Sequence, residues 1–80
     1  MTIQILLFGI TTDLIGSSSI QMELPEHCSV EIFKKEFTKN YSELATLKSY
    51  AVAVNESYAE DSQIIKENDI IAIIPPVSGG

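Results

Sequence analysis

The stretch that decides the fold is IIAIIPPVSGG, residues 70–80. The run DIIAII at 69–74 is rich in β-branched side chains and predicts a buried strand. The two prolines that follow cannot donate hydrogen bonds to a sheet, so the strand has to end before them. The last four residues are small or slim. We therefore predict a globular domain over residues 1–74 and an extended tail over residues 75–80.

The tail offers a terminal carboxylate with little side-chain bulk around it. Pro75 and Pro76 stiffen its start towards polyproline geometry, at about 3.1 Å per residue. Gly79 and Gly80 lack a Cβ, so the end of the chain can enter a tunnel too narrow for other residue pairs. Such a carboxylate is a substrate that another enzyme has to activate. Acyl-adenylation, followed by attack of sulfur or an amine on the Gly80 carbonyl, is the natural chemistry, and an inert end is the alternative.

Upstream of the tail, the pattern predicts an α+β fold in which one main helix packs on a sheet. The expected strands are 2–8, 17–24, 50–55, 57–59 and 69–74. Behind the candidate N-cap Ser29, the main helix carries apolar residues at three- and four-residue steps, namely Val30, Phe33, Phe37 and Tyr41. A short second helix is expected over 42–48. Residues 9–16 are expected to form a turn with at most a short helical loop over Leu14 and Ile15. Because the first and last strands are the most apolar, we expect them side by side in the middle of the sheet.

These two strands are apolar on both faces, which usually means that both faces are covered. One long helix can cover one face, so the other is expected to expose apolar surface for a partner protein. We expect Phe8, Ile73 and Ile74 on this partner-binding face, at the end of the sheet where the tail leaves. The alternative is that the short helix and loops cover it.

Composition and motifs exclude several classes of function. The chain has five lysines, no arginine and eleven acidic residues, for a net charge of −6, so it lacks the basic surface of a nucleic-acid binder. A single cysteine rules out an intramolecular disulfide or a cysteine-based metal cluster. No metal-ligand spacing, phosphate loop or catalytic triad is evident. We expect no metal and no catalysis by the chain on its own.

Three less specific features have simpler interpretations. His27-Cys28 is more readily a surface histidine next to an apolar helix-capping residue than a nucleophilic pair. Glu60-Asp61 is more readily a solvated acidic pair than a cation site. Asp69 more readily supports the turn before the last strand, in which Asn68 can take the positive φ that a turn requires. No stretch approaches the length of a membrane helix and no signal peptide is evident, so we expect a cytoplasmic domain.

Four segments together resemble the small subunit of molybdopterin synthase, the sulfur-carrier family with a ubiquitin-like β-grasp fold. They are LLFGITTDLIG at 6–16, AVAVN at 51–55, END at 67–69 and, most specifically, IIPPVSGG at 73–80. The resemblance covers essentially the whole chain. Family members often carry Arg where Thr12 stands, Gly where Asn68 stands, and aromatic residues just before the prolines. None of these departures touches the last four residues.

The resemblance implies a mixed β-grasp sheet of about five strands and a specific role for the tail. An adenylating enzyme related to ubiquitin activators would use ATP on Gly80 and convert it to a thiocarboxylate. The tail would insert into the large synthase subunit through Pro75, Pro76, Val77, Ser78 and Gly79. Sulfur would pass there to cyclic pyranopterin monophosphate in molybdenum cofactor biosynthesis. The chain itself would bind no cofactor directly.

Three other functions stay open at this point. A sulfur carrier of the thiamin pathway shares the fold and the Gly-Gly end, although PPVSGG favours the molybdopterin branch. A ubiquitin-like modifier would be joined to lysines through the same Gly80 carbonyl. A plain interaction domain would carry an inert tail. The modification found at the C-terminus separates a sulfur carrier from a modifier and from an inert domain.

Overall fold

The computed structural model describes residues 1–47 and 50–75. Within these residues the strands are β1 (Thr2–Leu7), β2 (Ser19–Glu23), β3 (Ala51–Val54), β4 (Ser57–Tyr58) and β5 (Ile70–Ile74). The helices are α1 (Ile10–Ile15), α2 (Val30–Asn40) and a 3₁₀ helix at Ser42–Thr46. No helix in the described ranges has the length and apolar character to cross a membrane.

The five strands form one mixed sheet in the order β2-β1-β5-β3-β4. β1 pairs in parallel with β5, whereas the β1–β2, β3–β5 and β3–β4 pairs are antiparallel. The last strand therefore lies at the centre with the first strand beside it, as the sequence predicts. The tail consequently leaves from the central strand of the sheet, which is paired on both sides.

Helix α2 covers one face of this sheet and begins where the sequence predicts. The Ser29 hydroxyl accepts a hydrogen bond from the Ile32 N–H at 3.2 Å, which satisfies a free donor of the first turn. Cys28 and Phe33, at the two positions of a hydrophobic staple, are both buried. The Phe33 and Phe37 rings stack with centroids 5.2 Å apart. Aromatic packing of this helix on the sheet thus supplies much of the core.

The core side of the sheet is formed by alternate residues of the strands. Ile3, Ile5 and Leu7 of β1 are buried, and so are Ile71 and Ile73 of β5. This corrects the expectation that Ile73 belongs to the partner-binding face. Its side chain is fully buried, since strand alternation places it on the same face as Ile71, under α2.

The start of β5 is tied to the β3–β4 hairpin by a polar network. Asn55 and Glu56 both have positive φ, 51° and 71°, as a two-residue hairpin turn requires. Asn55 donates from Nδ2 to Asp69 Oδ1 at 2.9 Å and accepts from the Ile70 N–H at 3.0 Å. Asp69 Oδ2 also accepts from the Lys66 N–H at 2.8 Å, closing the turn before β5. The prediction that Asp69 supports this turn is confirmed.

Loss of the Asp69 carboxylate should destabilise the domain. Asp69→Ala removes two hydrogen bonds at the entry to the central strand, and we expect it to lower the free energy of unfolding by about 1 kcal/mol. Glu67→Ala is the matched control, because Glu67 is an exposed acid two residues away in the same turn. Urea unfolding followed by circular dichroism measures both variants. Equal stability of the two would contradict a structural role for the network.

Candidate functional site

The face of the sheet opposite α2 carries a shallow apolar groove of about 570 Å³. Its floor is made of small side chains, because Ala72 of β5 lies opposite Ala53 of β3 in the register. Leu6 flanks Ala72 on one side, and Tyr58 flanks Ala53 on the other. The complete lining is Leu6, Phe8, Ala53, Asn55, Glu56, Tyr58, Ile70, Ala72 and Ile74. We call this surface the apolar groove.

Large apolar side chains around the groove remain exposed to solvent. Phe8 is 49% exposed, Ile70 42% and Tyr58 75%. In the part of the chain that the structure describes, the short helix and loops therefore leave this face open. Phe8 and Ile74 lie on it as predicted. Tyr58 and Ile70 were not among the predicted partner-binding residues, although the alternation of β5 already places Ile70 on the same face as Ile74.

The tail leaves the domain next to one end of the groove. Pro75, the last residue described, is half-buried and packs against Gly9. A Cβ built on Gly9 would lie 2.9 Å from the Pro75 Cγ, closer than normal packing allows, and the φ of +58° at Gly9 also disfavours a side chain. Gly9 therefore makes room for the first residue of the tail. The predicted site residues Pro76, Val77, Ser78, Gly79 and Gly80 lie outside the described residues.

Two threonines fix the backbone beside this exit. Thr11 is fully buried, and its hydroxyl both accepts from the Phe8 N–H at 3.1 Å and donates to the Phe8 carbonyl. The Thr12 hydroxyl donates to the Leu7 carbonyl at 3.1 Å. Thr12 thus contributes a short side chain that closes the local turn. Hydrogen bonds of the two threonines therefore hold the backbone on either side of Gly9, which packs against Pro75.

The other candidates from the sequence do not form a site. Cys28 is buried, and His27 is exposed with φ at 61°. Asp61 is not simply solvated, since its carboxylate lies 2.8 Å from the ammonium group of Lys34. No group of three or more histidine, cysteine or acidic side chains positioned to hold a metal ion occurs in residues 1–47 and 50–75.

Cys28 should be inert to thiol reagents in the folded protein. Burial raises the pKa of the Cys28 thiol, and the nearby Glu36 carboxylate raises it further, so little reactive thiolate forms near neutral pH. We expect iodoacetamide at pH 8 to leave the native chain unlabelled and to label it fully in urea. Mass spectrometry of the intact chain measures the labelled fraction. Rapid labelling of the native chain would contradict this expectation and favour the interpretation of Cys28 as a nucleophile.

Comparison with known proteins identifies the family. The ThiS family model matches residues 5–80, which includes the apolar groove, the exit at Gly9 and the whole tail. This chain belongs to the ThiS family. This match and the relatives described next together confirm the family predicted from the resemblance, and the sheet order agrees with its β-grasp fold.

Named relatives of this ThiS-family chain include two molybdopterin synthase sulfur carrier subunits. The one from Dictyostelium discoideum is 43% identical over 82 residues, covering 96% of this chain and 94% of the relative. The one from Arabidopsis thaliana is 34% identical over 79 residues, covering 98% and 82%. Both likenesses span nearly the whole domain.

A solved structure adds support for the fold. The complex of subunits 1 and 2 of the molybdopterin-converting factor from Helicobacter pylori contains a chain that matches this ThiS-family chain with a TM-score of 0.70. Sequence identity is 21%, and the match covers 100% of both chains. At this identity the likeness supports the β-grasp fold alone.

Proposed function

We propose that this chain is the sulfur carrier subunit of a molybdopterin synthase and works through the carbonyl of Gly80. The observation that carries the proposal is the likeness to the Dictyostelium discoideum sulfur carrier subunit along 96% of the chain. The sequence agrees with it, since a Gly-Gly terminus follows two prolines directly after the central strand. The half-buried Pro75 starts the tail at a defined point of the surface.

The chain is proposed to be a carrier without catalytic activity of its own. Its one thiol, Cys28, is buried, and its terminal carboxylate has to be activated before it can accept sulfur. Activation is therefore assigned to an adenylating enzyme. A Gly80 carboxylate oxygen attacks the α-phosphorus of ATP and expels pyrophosphate. A sulfur nucleophile at the oxidation level of sulfide then attacks the carbonyl and expels AMP, which leaves a thiocarboxylate.

Unloading is assigned to the large synthase subunit. The thiocarboxylate sulfur forms a bond to a carbon of cyclic pyranopterin monophosphate while a carbon–oxygen bond at that carbon breaks and the oxygen departs with a proton, giving a thioester to Gly80. Water then attacks the Gly80 carbonyl, the carbon–sulfur bond to Gly80 breaks, and the chain leaves as a carboxylate. A dithiolene contains two sulfur atoms, so two loaded carriers are consumed for each product.

The apolar groove is proposed as the surface that docks on the large subunit. It lies on the face left open by α2 and includes Ile74, the residue that precedes the tail. Docking there buries Phe8 and Tyr58, the kind of aromatic side chains that dominate binding energies. Holding the domain by this face limits where the short tail can reach, which lowers the entropy lost when the tail orders.

The net charge of the chain also supports a carrier role for it and a pterin-binding role for the large subunit. The chain has a net charge of −6, so it repels a phosphorylated pterin and favours encounter with basic protein surfaces. We therefore assign binding of the anionic pterin to the large subunit. A reducing, ATP-containing compartment fits this chemistry, and we propose the cytoplasm.

The proposal is tested by unloading the thiocarboxylated chain. The loaded chain is mixed with purified large subunit and cyclic pyranopterin monophosphate, and the intact mass of the chain is followed. We expect the mass to return to that of the carboxylate while the pterin gains sulfur. If sulfur leaves only for a thiazole-forming enzyme of the thiamin pathway, the molybdopterin assignment is wrong.

A further inference from the structure

Apolar surface continues from the groove around the tail exit. Phe8 and Ile10 stand on either side of Gly9 in the chain and are 49% and 50% exposed. Phe8 lines the apolar groove, whereas Ile10 does not and instead begins α1. Because Pro75 packs against Gly9, both exposed side chains belong to residues adjoining the tail contact. We call Phe8, Gly9 and Ile10 the exit corner.

The exposure of Ile10 is not explained by the packing of α1. On this short helix, Thr11 is buried, and Leu14 and Ile15 pack partly against the core. The hydroxyls of Thr11 and Thr12 close the turn through backbone carbonyls, so Ile10 is not needed to hold the helix in place. A polar residue would serve equally well at an exposed first helical position.

The sequence around the exit corner contains no charged side chains. The first charged side chain in the sequence is Asp13, so residues 1–12 carry none. In a protein with a net charge of −6, this uncharged stretch contains two half-exposed apolar residues, Phe8 and Ile10. Its position beside Pro75 connects it to the tail and to the docking groove.

The length of the tail requires the partner to come close to this corner. Five residues follow Pro75, and a fully extended chain of that length spans about 16 Å. A partner that surrounds the end of the tail therefore has its reacting centre within about 16 Å of Pro75. The protein surface around the mouth of its tail pocket then approaches the residues that flank Gly9.

We propose that the exit corner is a second docking element for the large synthase subunit, with Ile10 as an affinity-determining contact at the mouth of the tail pocket. The inference rests on the proposed function and extends it from the sheet to the α1 side of the exit. The partner surface that fits is apolar and uncharged where it meets Ile10. Together, the apolar groove and the exit corner contact the partner on two sides of Pro75, the first residue of the tail.

The test compares Ile10→Ser with Ile32→Ser. Ile32 is a matched control because it is the same residue type, is 44% exposed and lies on α2, outside the apolar groove. Isothermal titration with purified large subunit measures the Kd of each chain. We expect Ile10→Ser to weaken binding about fivefold through lost apolar burial and Ile32→Ser to leave it unchanged. Ile10→Val, which stays apolar, should bind within about twofold of the wild type.

The outcomes separate this inference from the function on which it rests. If the wild-type chain binds the large subunit and Ile10→Ser binds as tightly as Ile32→Ser, the corner is not a docking element. If the wild-type chain does not bind at all, the proposed function fails, and the inference falls with it. Thermal unfolding checks that the variants are folded. Should Ile10→Ser be unstable, Ile10→Thr keeps the β-branched shape while adding the hydroxyl, and the same difference from the control is required.

Discussion

Deletion of Gly80 is expected to abolish sulfur transfer while the domain stays folded. Removing one residue draws the terminal carboxylate back by up to about 3.5 Å. Reacting groups tolerate far less, and a misplacement of about 1 Å already costs about 100-fold in rate. We therefore expect sulfur delivery to fall by at least about 100-fold. The buried core comprises residues between Ile3 and Ile73, so thermal stability should not change. Thiocarboxylate formation and transfer to the pterin are measured on the same preparation.

A substitution that keeps the length of the tail provides the control. Ser78→Ala removes a hydroxyl without shortening the chain, and we expect it to retain most of the transfer rate. The account is contradicted if the chain without Gly80 still restores cofactor synthesis, because the carbonyl of Gly80 would then not be the working group. Comparable losses in both variants would point to a requirement for Ser78 itself.

Placing a charge in the apolar groove is expected to cause the second largest loss. Ile70→Asp puts a carboxylate on the face proposed to dock, where burial without a partner charge is costly. We expect the Kd for the large subunit to rise about 100-fold, which corresponds to about 2.7 kcal/mol. Because Ile70 is 42% exposed, the free domain should tolerate the change. Ile74→Asp, next to the tail, should act in the same direction.

The matched control for this charge is Ile64→Asp. Ile64 is 44% exposed and does not line the groove, so the two variants share the residue type, the added charge and the exposure. Ile64→Asp should bind within about twofold of the wild type. Unaltered affinity of Ile70→Asp would remove the sheet face from the interface and leave the tail to bind alone. Circular dichroism confirms that both variants are folded.

The sequence predicts the architecture because its strongest signals are periodic. The 3.6-residue stripe of apolar residues predicts that α2 is a helix, and the continuous apolar runs predict that β1 and β5 are buried strands. Asn68 takes the positive φ predicted for the turn before β5, at 72°. By contrast, α1 was expected as a turn with at most a short helical loop over Leu14 and Ile15. It begins earlier, at Ile10, because threonine hydroxyls close its first turn, a short-range effect without periodicity.

The site is predicted less completely than the fold. Its tail residues follow from composition, and the open face follows from the apolar character of both sides of β5. The prediction that Ile73 lies on the partner-binding face is wrong because strand alternation places its side chain beside that of Ile71 in the core. Tyr58 is not among the predicted partner-binding residues, because a strand of only two residues has no alternating pattern of apolar and polar side chains. The contact between Gly9 and Pro75 joins distant parts of the chain, which a single sequence does not reveal.

The most direct test of the central claim is the intact mass of the chain after incubation with its adenylating enzyme, ATP and a sulfide-level sulfur donor, with fragmentation to locate the change. The account predicts replacement of one oxygen by sulfur, confined to Gly80. A chain joined through Gly80 to lysine side chains would instead indicate a modifier. A chain that keeps its mass would contradict the claim that the terminal carbonyl is the group on which this protein works.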